Sequence, residues 1–160
     1  MLELHIEGMD CTGKSATAYE IGLISDVERR HRVLTGDNPF IAEFHERQGE
    51  YPWDSAEVTE GLLDAIDYDL ANYAHGKTRL IQESTLVTKG LAMRVVAGAP
   101  RTVISKFEDR LAAFPRFESS VYMTVSDDVR LERFYTRLRS GGKITQHDRM
   151  IISDFDRLGE

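Results

Sequence analysis

The sequence predicts an α/β protein: a three-layer sandwich around a mainly parallel, four-stranded sheet. Short apolar strands alternate with helical patterns of ten residues or more, which is the signature of strands linked by crossover helices. Most turns between them carry Gly, Pro, Asp or Asn. The 160 residues suffice for one domain, 1–160, and show no internal repeat.

The first strand runs over Leu2 to Glu7 and ends in the glycine-bearing stretch Gly8-Met-Asp-Cys-Thr-Gly-Lys-Ser15. A helix follows from Ser15 to Ser25, with Ala16, Ala18, Ile21, Gly22 and Leu23 as a small-residue face. Arg32 to Thr35 is the second strand, closed by Gly36-Asp-Asn-Pro39. Asp54 or Ser55 caps a long helix that reaches about Ala74, with Val58, Leu62, Ile66, Leu70 and Tyr73 on one face. His75-Gly76-Lys77 ends it. Arg79 to Glu83 is the third strand, followed by helical patterns through Leu91, Val95 and Val96 and through Val103, Phe107 and Leu111, the latter stopped by Pro115. Val121 to Val125 is the fourth strand. Ser126 caps the next helix, whose first turn carries Asp127 and Asp128 where the helix dipole favours negative charge. Ile151, Phe155 and Leu158 predict a last amphipathic helix.

Apolar residues make up 41% of the chain and charged residues 29%, which excludes a disordered or low-complexity chain. The net charge of −7 argues against a surface that grips nucleic acid through its backbone. No apolar run is long enough to span a bilayer, and the start lacks the basic and apolar regions of a secretory leader. A single cysteine, Cys11, forms no internal disulfide. These features predict a cytoplasmic protein without a membrane partner.

The chemistry concentrates at the first turn. Gly8 to Ser15 fits G-x-x-x-x-G-K-[ST] at every fixed position, between a predicted strand and a predicted helix. Gly8 and Gly13 let the backbone curl so that amides from Met9, Asp10, Cys11, Thr12, Gly13, Lys14, Ser15 and Ala16 face phosphate oxygens. Lys14 reaches the β- and γ-phosphates and Ser15 is placed to bind Mg²⁺. The alternative is an ordinary glycine-rich turn. The phosphate-loop reading predicts a P-loop NTPase-type sandwich that binds ATP with Mg²⁺.

The wider stretch Ile6-Glu-Gly-Met-Asp10 with Gly13-Lys-Ser15 resembles the thymidylate kinase family, and the related deoxynucleoside kinases share its Glu-Gly start. Thr35-Gly-Asp-Asn-Pro39 falls at that family's turn after the second strand. Leu131-Glu-Arg133 and Arg137-x-Arg139 resemble its approach to an arginine-bearing lid, and Asp148-Arg149 its Asp-Arg pair. The resemblance implies a kinase with a mobile lid at about 133–149, hinged at Gly141-Gly142. Transfer of the γ-phosphoryl of Mg-ATP to a (deoxy)nucleoside monophosphate is the activity implied. Asp10 would contact the acceptor sugar, and Arg137, Arg139, Lys143 and Arg149 would supply cations to the transferring phosphoryl.

The chain departs from that pattern after the third strand, where Gln82-Glu83-Ser84 lacks the family's arginine. Glu83 is expected at the C-terminal edge of the sheet, as a Mg²⁺ ligand, as a proton acceptor, or as the cap of the next helix. Lys89 or Arg94 would compensate for the arginine. Its absence leaves open an acceptor without phosphate, a nucleoside or another small alcohol. A fifth strand is also not apparent, which predicts an open adenine site or an edge supplied by a partner, a homodimer included. A nucleotide-binding switch with little catalysis is the reading from another class. Asp37 and Asn38 are read as acceptor contacts or plain turn residues. Phe44, Trp53, Tyr68 and Tyr73 are read as base-stacking or core aromatics, and the five histidines show no metal-ligand spacing.

Overall fold

A computed structural model describes residues 3–8, 11–73 and 79–141. The elements in order are β1 (Glu3–Gly8), α1 (Lys14–Ser25), β2 (Glu28–Arg32), α2 (Phe40–Glu50), α3 (Ala56–Asn72), β3 (Leu80–Thr85), α4 (Leu86–Val96), α5 (Arg101–Ala112), β4 (Ser119–Met123) and α6 (Asp127–Gly141). The four strands form one all-parallel sheet in the order β2-β3-β1-β4. The expected α/β architecture is therefore present among the described residues.

Alternation along β1 divides the sheet into two faces. Leu4 and Ile6 join Ala18, Val27 and Ile81 in a small core beneath α1. Glu3, His5 and Glu7 point to the opposite face. The larger core lies among α2, α3, α4 and α5, where Phe44, Val58, Leu62, Ile66, Val87 and Phe107 are buried together. The predicted α3 stripe accounts for its centre. Ser55, not Asp54, caps α3, its hydroxyl accepting from the Val58 amide at 3.2 Å.

Several expectations shift. The second strand is Glu28–Arg32, which starts before the predicted Arg32–Thr35 and shares only Arg32 with it. Its run of charged residues suits a sheet edge, where side chains reach water and the charges discourage pairing with another chain. The apolar pair Val33-Leu34 is a connection instead, and Leu34 is buried. Likewise β4 spans Ser119–Met123 rather than Val121–Val125. Helix α2 has no counterpart in the sequence reading, because Phe40, Ile41 and Phe44 are too few apolar positions to declare a period. Leu23, from the small-residue face read for α1, and Val95, from the helical pattern read for α4, are 63% and 55% exposed. The buried side chain in that turn of α4 is Arg94. The stop of α3 at 75–77, the second lid glycine and the C-terminal helix lie outside the described residues.

Asp69 fixes the connection after β2. Only 2% exposed, it accepts from the Leu34 amide at 2.9 Å, the Thr35 amide at 3.3 Å, the Thr35 hydroxyl at 2.8 Å and the Asn38 side-chain amide at 3.1 Å. Removing it strands buried donors, so Asp69→Ala is expected to lower unfolding free energy by about 3 kcal/mol. Urea denaturation of the two proteins measures the difference.

Candidate active site

The strand order reverses between β1 and β3, and their C-terminal ends carry the polar residues that the sequence singles out. Gly8 closes β1 where a Cβ would lie 2.4 Å from the Met123 carbonyl oxygen, so only glycine fits. Gly13 enters α1 at φ 98°, a left-handed conformation that favours glycine. It offers no side chain to the first-turn amides of α1, and no acidic residue occupies that turn. The helix start is thus suited to an anion. Lys14 is buried and donates through Nζ to the Gly8 carbonyl at 2.7 Å, bridging the two ends of the loop. Thr12 is buried, Cys11 half-buried and Ala16 exposed. Met9 and Asp10 lie outside the described residues, and with them the expected sugar contact.

Ser15 follows Lys14 in the first turn of α1, its hydroxyl donating to Glu83 Oε1. The His31 Nδ1 atom lies 3.2 Å from that same oxygen. Burial of Glu83 pushes its pKa upward. The hydrogen bonds from His31 and Ser15, with the charges of His31 and Arg29, outweigh that and bring it below the usual value. Glu83 is therefore a carboxylate at neutral pH. Its role as a helix cap falls to Thr85, whose hydroxyl accepts from the Thr88 amide at 3.2 Å.

A second carboxylate, Glu7, was legible only as part of the Glu-Gly start. It lies on the other face of the sheet and accepts from the Gly8 amide at 3.2 Å, Ser84 Oγ at 2.9 Å and Thr88 Oγ1 at 2.6 Å. His5 Nε2 is 3.5 Å away. Burial raises its pKa, but contacts with His5, Thr88, Ser84 and Gly8 together bring it from the ordinary 4.5 to about 2. A carboxylate with a depressed pKa stabilises the fold above the unfolded value and ceases to do so as pH falls through the folded one. Stability is thus expected to drop between pH 4.5 and about 2, and Glu7→Gln to flatten that loss by about 2 kcal/mol. Acid titration followed by circular dichroism checks it.

Ser84 occupies the place where the resemblance has an arginine. It is the extra residue of a bulge, since His31 pairs with Glu83 and Arg32 with Thr85, and its φ is 53°. Of the residues proposed to compensate, Arg94 is 1% exposed and donates to Thr59 Oγ1 at 2.9 and 3.2 Å, its guanidinium over the rings of Trp53 and Phe107. It knits α3, α4 and α5 together. Lys89 is half-buried in the first turns of α4.

The lid arginines divide. Arg133, at the start of the expected lid, donates through Nη1 to the Cys11 carbonyl at 3.2 Å and so touches the phosphate loop. Arg137 and Arg139 are exposed on α6, and the Arg137 guanidinium lies 5.3 Å from the Phe134 ring centre. Lys143 and Arg149 lie outside the described residues. Asp37 is exposed, whereas Asn38 is consumed by Asp69 and by the Ala65 carbonyl at 2.7 Å, which makes it a turn residue. The four aromatics serve packing: Phe44 is core, Tyr68 lies 5.8 Å from Phe40, Trp53 supports Arg94, and the Tyr73 hydroxyl donates to Glu3 at 3.1 Å.

No group of three or more His, Cys, Asp or Glu is placed to hold a metal among the described residues. Mg²⁺ takes one or two protein oxygens and completes its shell with phosphate and water. Ser15 and Glu83 are hard oxygen donors in contact, and they fit such an ion. No described helix is long and apolar enough to cross a membrane.

Deoxyadenosine kinase from M. mycoides with bound dATP superposes with a TM-score of 0.58 at 16% identity, over 98% of this chain and 83% of that one. The same enzyme with products dCMP and a flexible dCDP gives 0.59 at 14% identity, over the same shares. The fold is that of the thymidylate kinase-like P-loop kinases. Thymidylate kinase from Candida albicans gives 0.58 at 13% identity, over 98% of this chain and 75% of that one. No family model and no curated protein matches the chain in sequence.

Proposed function

We propose that the protein is a P-loop kinase that transfers the γ-phosphoryl of Mg-ATP to a nucleoside or nucleotide acceptor. The observation that carries the reading is the contact of the Ser15 hydroxyl with the Glu83 carboxylate beside Lys14 at the head of α1. Kinases among the structural neighbours support it. The first-turn amides of α1 bind the donor's phosphates. Lys14 exchanges the Gly8 carbonyl for the β- and γ-oxygens, and Arg133 reaches the transferring group from α6. Ser15 and Glu83 would hold Mg²⁺, which supplies charge neutralisation on the donor. Residues 133–149 act as the lid that excludes water, with Arg137, Arg139 and Arg149 as further cations.

Two acceptor classes follow from different residues. A (deoxy)nucleoside monophosphate needs a cation near the end of β3, which Lys89 would provide, with Asp37 and Asp10 as polar contacts. An acceptor without phosphate is favoured by Ser84 standing at the arginine position and by ionised Glu7, which accepts a hydroxyl proton's hydrogen bond and repels a second phosphate. ADP release measured with a panel of nucleosides and their monophosphates separates the two. Turnover with monophosphates alone supports the first class, and turnover with nucleosides alone the second. Saturable ATP binding with no transfer to any member would contradict the kinase reading in favour of a nucleotide-dependent switch.

A further inference from the structure

We propose that His31 is a positioning residue for the metal site, clamping Glu83 from the sheet edge; this rests on the kinase reading above. His31 and Glu83 are Cα partners in the β2–β3 ladder, the last regular pair before the bulge at Ser84. Neighbouring residues of paired strands share a face, so the imidazole stands beside the carboxylate. Nδ1 lies 3.2 Å from Oε1, and the Ser15 hydroxyl donates to the same atom.

Two donors converging on one oxygen fix the plane of the carboxyl group. They leave Oε2 as the oxygen with no hydrogen-bond partner among the described residues, free to ligate an ion. The Glu83 side chain is 3% exposed and that of His31 50% exposed, so the histidine covers Glu83 on its solvent side. Nδ1 donates in the neutral Nδ1–H tautomer and in the imidazolium alike, so the clamp does not require a charge change. Groups that orient a metal-ligating carboxylate in this way typically govern metal affinity by 10- to 100-fold. No local pattern points to it: the histidine sits in a basic edge strand, 52 positions before its partner, without metal-ligand spacing.

The test compares ATP binding by calorimetry with Mg²⁺ and with EDTA. The expected result is a magnesium-dependent gain in affinity that falls roughly tenfold in His31→Ala while binding in EDTA stays within about twofold. His31→Asn, whose side-chain amide offers a donor near the Nδ1 position, is expected to recover most of that gain. In turnover, the magnesium concentration for half-maximal rate rises more than kcat falls. An unchanged magnesium gain in His31→Ala, or in His31→Leu if the alanine variant does not fold, overturns the proposal. Glu83→Gln in the same titration separates the two levels. If it alone abolishes the gain, only the role of His31 fails; if it too leaves the gain intact, the metal-site reading fails with it.

Discussion

Lys14→Ala is expected to reduce kcat/KM for phosphoryl transfer on the order of 10³-fold, with little change in melting temperature. The ammonium is the one loop cation that crosses between the two glycines, donating to Gly8 in the unliganded geometry. Exchange of that carbonyl for a phosphate oxygen costs little, because the ammonium trades a neutral acceptor for an anionic one. In the transition state the charge spreads over the γ-oxygens, where a fixed cation in a water-poor site is worth several kcal/mol. Alanine removes it and leaves the apolar contacts of α1 in place, since Ala18 and Ile21 carry the packing on the sheet. Steady-state rates beside a thermal melt measure both quantities.

Glu83→Gln is expected to lower kcat by about 10²-fold or more. The substitution is nearly isosteric. An amide oxygen can still accept from Ser15 and His31, but its nitrogen then stands at Oε2 and offers a donor where a metal ion needs a lone pair. The loss should therefore appear in magnesium-dependent steps and not in the fold. Rates across a magnesium titration test this: a variant that matches the wild-type curve would remove Glu83 from the reaction.

The sequence made the phosphate loop legible because its chemistry is local. A tight turn, a lysine and a hydroxyl must lie within eight residues of one another, so the pattern survives in one dimension. The α3 stripe was legible for the same reason, as Val58, Leu62 and Ile66 recur at the helical period. Glu83 could be placed at a strand end, but its partners could not, since Ser15 and His31 reach it only through the pairing of β3 with its neighbours. The edge strand itself was misplaced, because charged residues on a half-solvated strand carry no apolar alternation and the apolar Val33-Leu34 beside it does. Arg94 was read, beside Lys89, as a cation that would compensate for the missing arginine: no local signal announces that Trp53, Thr59 and Phe107 converge on it. Arg133 was visible as one of several arginines, and only the docking of α6 on the loop singles it out.

The most direct measurement is calorimetric titration of the intact chain with Mg-ATP, run in parallel on Lys14→Ala. The account predicts saturable one-site binding to the wild type, competed by inorganic tripolyphosphate, and a loss of at least tenfold in affinity in the variant. Absence of binding to the folded wild type, or equal affinity in the two proteins, would contradict it.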